Sequence, residues 1–170
     1  TITVPADKEL TLELNGYTLT GVTDDADKND DGTLTSADNE VMFDVRGTMN
    51  VDGAPLTRAA AEGDGCINVK HIGTNMGWGA STNVFNVTAG GVLKLENVTA
   101  KNLGGSDMAF VAHLNNWGEC TLNVDNSTLE STYIAVRVFN SGNDMNNVTI
   151  ANTELKGKYC FWVHNYKEAG

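Results

Sequence analysis

The chain has 170 residues, with 22 acidic against 11 basic side chains and a formal charge of −11. That length fits a single domain, and that charge repels phosphate backbones and anionic headgroups, which argues against nucleic-acid and membrane-surface binding and makes a cation the natural partner. No stretch approaches the roughly 20 consecutive apolar residues of a membrane helix, and no basic, apolar, small-residue leader opens the sequence.

From the N-terminus, Leu10-Thr11-Leu12-Glu13-Leu14 alternates apolar and polar residues and ends in the turn pair Asn15-Gly16, the mark of a half-buried strand. Residues Val22 to Glu40 are strongly acidic and break the pattern as an inserted loop. Short strands resume at Phe43 and Val45, then Met49 and Val51. Residues Pro55 to Ala80, rich in Gly and Ala, form a second excursion, with Cys66-Ile67-Asn68-Val69 as a short strand inside it. Phe85 and Val87, Leu93 and Leu95, Leu122 and Val124, and Val148 and Ile150 continue the series. Residues Tyr159 to Tyr166 still read as strand at the C-terminal end, so the chain is expected to be a segment of something longer.

These segments repeat. Val45-Arg46-Gly47-Thr48-Met49-Asn50-Val51 parallels Val87-Thr88-Ala89-Gly90-Gly91-Val92-Leu93-Lys94-Leu95: strand, Gly turn, strand. Asn97, Asn126 and Asn152 each follow such a strand, at spacings of 29 and 26 residues. A unit recurring at that period marks a solenoid, whose units stack to bury a core that none could bury alone. Asn tolerates left-handed backbone angles and its amide can bond its counterpart in the next unit, so an internal Asn ladder is expected. The sequons at Asn86, Asn97, Asn126 and Asn147 could alternatively accept N-linked glycans in a eukaryotic secretory protein.

The opening Thr1 to Gly21 and the later Val148-Thr149-Ile150-Ala151-Asn152-Thr153-Glu154-Leu155 resemble rungs of right-handed parallel β-helix (pectate-lyase-like) proteins of bacterial surfaces and secretions. The resemblance implies an all-β domain over residues 1–170, a solenoid of about five to six coils with insertions at 22–40 and 55–80. It also implies an extracellular or cell-surface setting. It does not choose an activity, because lyases, hydrolases, tailspikes, stalks and adhesins share this architecture.

Asp27-Lys28-Asn29-Asp30-Asp31-Gly32-Thr33-Leu34-Thr35-Ser36-Ala37-Asp38 fits the calcium-loop pattern D-x-[DN]-x-[DN]-G with an acidic twelfth residue. Ca²⁺ takes six to eight oxygens, and alternate positions of such a loop turn Asp27, Asn29 and Asp31 toward one centre. The Thr33 carbonyl and Asp38 would complete the shell, while Gly32 permits the turn. The Asp at the last position resembles dockerin-type loops. The plainer reading is a solvated acidic turn that matches by composition.

A second candidate is a surface row. Aligning Asn116 with Asn140, and Asn140 with Asn165, places His113 beside Arg137 and Arg137 beside Trp162. With Ile134, Val136 and Val138 pointing into the core, strict alternation sends Ala135, Arg137 and Phe139 outward. An indole beside a guanidinium and an imidazole suits a sugar ring, an acidic one above all. The plainer reading has Trp162 covering a core edge and Arg137 paired with a carboxylate. Phe139, His164 and Tyr166 extend the row, and Trp78 and Trp117 are further platforms.

The three cysteines, Cys66, Cys120 and Cys160, form no C-x-x-C pair and are expected to be buried thiols, with a Cys120–Cys160 bridge as the alternative. No catalytic constellation stands out. The expected role is therefore adhesion through glycan or host-surface binding, or a structural stalk. A lyase or hydrolase of acidic polysaccharide using Arg137 is the alternative, and end-to-end self-association into filaments a third.

Overall fold

The computed structural model describes residues 1–23, 40–54, 65–71, 81–104, 108–115, 118–141 and 145–166. Every regular element among them is a β-strand, and every recorded strand pairing is parallel.

The chain deals its strands into three sheets in rotation. The first sheet holds β1 (Ile2–Val4), β4 (Glu40–Val45), β7 (Thr82–Val87), β10 (Ala109–Asn115), β13 (Ile134–Ser141) and β16 (Tyr159–Tyr166), in that order. The second holds β2 (Glu9–Glu13), β5 (Thr48–Asp52), β8 (Val92–Glu96), β11 (Thr121–Asp125) and β14 (Asn147–Ala151). The third holds β3 (Thr18–Thr23), β6 (Cys66–His71), β9 (Thr99–Asn102), β12 (Thr128–Ser131) and β15 (Glu154–Lys156). Each strand thus pairs with the strand three places on, which is consistent with a parallel β-helix. The stretch 55–80 is not one excursion, because β6 inside it is a full member of the third sheet.

Stacking puts like residues in columns. Phe43, Phe85, Ala112 and Val136 stand in register in the first sheet, and the Phe43 and Phe85 rings stack at 5.4 Å. Met49, Leu93 and Leu122 form a column in the second sheet; Ile67, Ala100 and Leu129 form one in the third. All are buried in one continuous core. On the second and third sheets the alternating strands read from sequence are these columns: one side chain in two is removed from water, and that is what fixes the register.

The corners explain the Gly and Asn of the repeat. Gly47 and Gly91 each open the corner into the second sheet, and a Cβ at either would strike backbone carbonyls, Pro5 and Lys8 for Gly47 and Val45 for Gly91. Asn15, Asn97, Asn126 and Asn152 occupy the next corner with φ of 48°, 56°, 44° and 48°, left-handed angles that Asn tolerates best after Gly. The amide of Asn126 donates to Asn97 Oδ1 at 2.7 Å, and that of Asn97 to Asp52 Oδ1 at 3.0 Å. Asn152 instead donates to Asp125 Oδ1 at 2.9 Å. The ladder therefore exists, but it is mixed Asn and Asp, and it runs along a solvent-facing corner where an internal one was expected.

Cys66 and Cys120 are buried thiols; Cys160 is exposed, and none is bridged. The burial expected of Cys160 fails because β16 is the last strand of its sheet among the described residues.

Candidate functional site

In the first sheet the register runs Thr3, Asp44, Asn86, His113, Arg137, Trp162 across β1, β4, β7, β10, β13 and β16. The structure brings together the three residues of the expected row, and on adjacent strands. Asn140 also faces Asn165, as the alignment required. The metal-ligand candidates Asp27, Asn29, Asp31, Thr33 and Asp38 lie outside the described residues, as do Trp78, Asn116 and Trp117. Among the described residues no His, Cys, Asp and Glu cluster could hold a metal ion.

Strict alternation fails at one point. Val111 and Ala112 are neighbours, yet both belong to the main core, and so do Ala135 and Val136. Phe110 and Ile134 belong instead to a second cluster with Met108, Ala109 and Tyr133, against which Trp162 packs. Ala135 therefore points inward and Ile134 away from the main core, the reverse of the expectation, while Val136, Arg137 and Val138 keep their expected sides. The step repeats on neighbouring strands, so the columns are kept in register. Its effect is to gather a second buried patch of aromatic and aliphatic side chains beside the polar row.

That patch carries the guanidinium. Arg137 Cζ lies 5.1 Å from the Phe110 ring centre and 5.2 Å from that of Phe139, within range for cation–π attraction to both. Trp162 sits against Tyr133 and Tyr159, with ring centres 6.3 and 5.4 Å away. Arg137 Nη1 is 3.2 Å from His113 Nε2. An arginine has no acceptor, so the imidazole accepts here and carries its proton on Nδ1. His113 is 3 % exposed. Burial, and then the positive charge of Arg137, lower its pKa from 6.5 to about 3, so it is neutral at physiological pH. Burial also lowers the pKa of Arg137 from its ordinary value, with Tyr133 acting the other way.

Among the described residues no carboxylate pairs with Arg137. Its neighbours further along the row are already engaged: Asp44 takes two bonds from Arg46, both at 2.8 Å, and one from the Asn86 amide at 3.1 Å. Trp162 covers the second cluster, not an edge of the main core. The contribution of Asp44, Asn86 and Phe110 was missed from sequence. The parallel between Val45-Arg46-Gly47 and Val87-Thr88 already carried the first two, since it places Asp44 opposite Asn86.

The third sheet carries a groove of about 870 Å³ on its outer side, lined by Lys70, Lys101, Glu130, Glu154 and Lys156 among others. Its charges largely answer one another: Lys101 pairs with Glu130 and Lys156 with Glu154, each at 2.9 Å. Arg137, by contrast, is a partly buried cation held over aromatic rings with no anion of the described chain beside it. No family model, curated protein or solved structure matches the chain.

Proposed function

We propose that the chain is an extracellular adhesion module, a right-handed parallel β-helix braced by calcium at Asp27, Asn29, Asp31, Thr33 and Asp38, that binds a carboxylate-bearing glycan along the row His113, Arg137 and Trp162. The observation that carries this reading is the lone guanidinium. In a chain of net charge −11, a half-buried arginine without a carboxylate among the described residues is positioned to take one from a ligand. The rings of Phe139 and Trp162 offer flat apolar surface to the sugar. The handedness follows from the strong preference of parallel crossovers for the right hand.

Binding is favoured over catalysis because the imidazole is a poor base. His113 Nε2 already accepts from Arg137, and a group with a pKa near 3 has little affinity for a substrate proton. The test is a glycan array read with and without chelator, using the wild type, Arg137→Gln and Trp162→Ala. Carboxylated glycans bind the wild type, and either substitution weakens them by tenfold or more. Silence on all acidic glycans overturns the proposal, and turnover of an acidic polysaccharide replaces it with the lyase reading. The calcium brace is tested by Asp31→Ala, which abolishes a calcium-dependent rise in melting temperature seen in the wild type; the same rise in both removes the metal from the proposal.

A further inference from the structure

A second cation stands on the patch that holds Arg137. Lys158 Nζ lies 5.3 Å from the ring centre of Tyr133 and 6.0 Å from that of Tyr159. Tyr133 belongs to the second cluster, and so does Phe110, one of the two rings that hold the guanidinium. Both cations are therefore fixed to one group of packed side chains. Lys158 is exposed, and among the described residues no carboxylate pairs with it. In a chain with 22 acidic against 11 basic side chains, carboxylates are plentiful, so two cations left without one on a single aromatic patch point to an anionic ligand.

The register sets how far apart the anions of that ligand stand. Phe110 pairs with Ile134 and Ile134 with Tyr159, so the rings beneath the two cations start from backbones two strand spacings apart, about 10 Å. The guanidinium also leans on Phe139, further along β13, which adds to the separation. One carboxylate cannot serve both cations across that gap, and one sugar ring is too small to carry two anions that far apart. Trp162 links the two ends, because it pairs with Arg137 in register and its ring centre lies 5.4 Å from that of Tyr159. Tyr159 is 45 % exposed and Trp162 partly exposed, so an uncharged sugar can rest on them.

We infer that Lys158 is a second anion-binding residue of the site, which takes a chain of alternating acidic and neutral sugars: one carboxylate on Arg137, the next on Lys158, and the uncharged unit over Tyr159 and Trp162. This rests on the glycan-binding reading and specifies its ligand. A chain with a single carboxylate uses Arg137 and leaves Lys158 in water. The exposed ammonium then adds a modest, salt-sensitive increment that appears only when the second carboxylate is present.

The experiment is titration calorimetry with a hyaluronan tetrasaccharide, in which two glucuronates alternate with N-acetylglucosamine, and with the related trisaccharide whose only glucuronate is central. The proteins are the wild type, Lys158→Gln, Lys158→Arg and Arg137→Gln, each checked for a cooperative melt. Wild type prefers the tetrasaccharide by about fivefold or more, and the preference fades at high salt. Lys158→Gln, whose stem still covers the tyrosines, reduces that preference to about twofold or less and leaves trisaccharide binding unchanged; Lys158→Arg keeps the preference. Equal affinity for the two sugars in the wild type, or an undiminished preference in Lys158→Gln, overturns the Lys158 inference alone when Arg137→Gln still weakens both sugars. An equal loss on both sugars in Lys158→Gln also overturns it, because a second anion site cannot act on a ligand with one anion. If neither sugar binds the wild type, the alternating-sugar inference falls, and the glycan reading falls with it only where the array is silent on every acidic glycan. If Arg137→Gln binds both sugars unchanged, both readings fall together.

Discussion

His113 ties the stability of the protein to pH, and the sign of that link follows from its burial. Its pKa is near 3 in the fold against 6.5 for a solvated imidazole, so between those values the unfolded chain holds a proton that the native site refuses. Stability must then rise with pH through this window, and it is lost as pH falls below about 6.5. From pH 7 to pH 5 the loss is about 2 kcal/mol, set by the unfolded pKa and by the native group staying neutral throughout. Most carboxylates remain ionised over that range, which keeps their contribution small. His113→Gln keeps an acceptor for Arg137 but cannot titrate. Urea unfolding of both proteins at pH 7 and pH 5 isolates the term: the wild type loses about 2 kcal/mol more than the variant. Equal losses would refute the claim that a neutral, buried imidazole sits beside Arg137.

Two further predictions concern the scaffold. On the second sheet Glu13, Asp52, Glu96 and Asp125 stand directly opposite one another on successive strands, so Glu96→Gln relieves repulsion on both sides and raises stability by about 0.5 kcal/mol at low salt, a gain that shrinks at high salt. A loss of stability at low salt would show that the column is not repulsive. At the corner into the third sheet, Asn126→Ala loses the bond to Asn97 and forces a Cβ residue without local compensation into φ of 44°, for a cost of about 2 kcal/mol. Asn126→Gly loses the bond but not the conformation, so chemical denaturation should place it about 1 kcal/mol above the alanine variant; equal values would remove backbone strain from the account.

The stacking order was legible because it rests on short-range rules. Period-two segments such as Leu10 to Leu14 declare which side chains leave water, and an Asn at each of three equivalent corners declares where the backbone must turn left-handed. Those two signals, repeated, bring His113, Arg137 and Trp162 to the same column, because a solenoid converts equivalent positions in the repeat into neighbours in space.

What the sequence could not supply was anything that depends on a departure from the period. The double inward step at Val111 and Ala112, and again at Ala135 and Val136, is invisible to alternation, yet it turns Phe110 and Ile134 away from the main core. Only the tertiary structure therefore decided that Arg137 lies over rings instead of in open solvent, and that His113 is buried and neutral. A chain's pattern of apolar residues fixes which faces must be covered, since burial is local and additive along the repeat. The protonation of an imidazole and the freedom of a guanidinium depend on every neighbour at once, and those neighbours come from strands more than twenty residues apart.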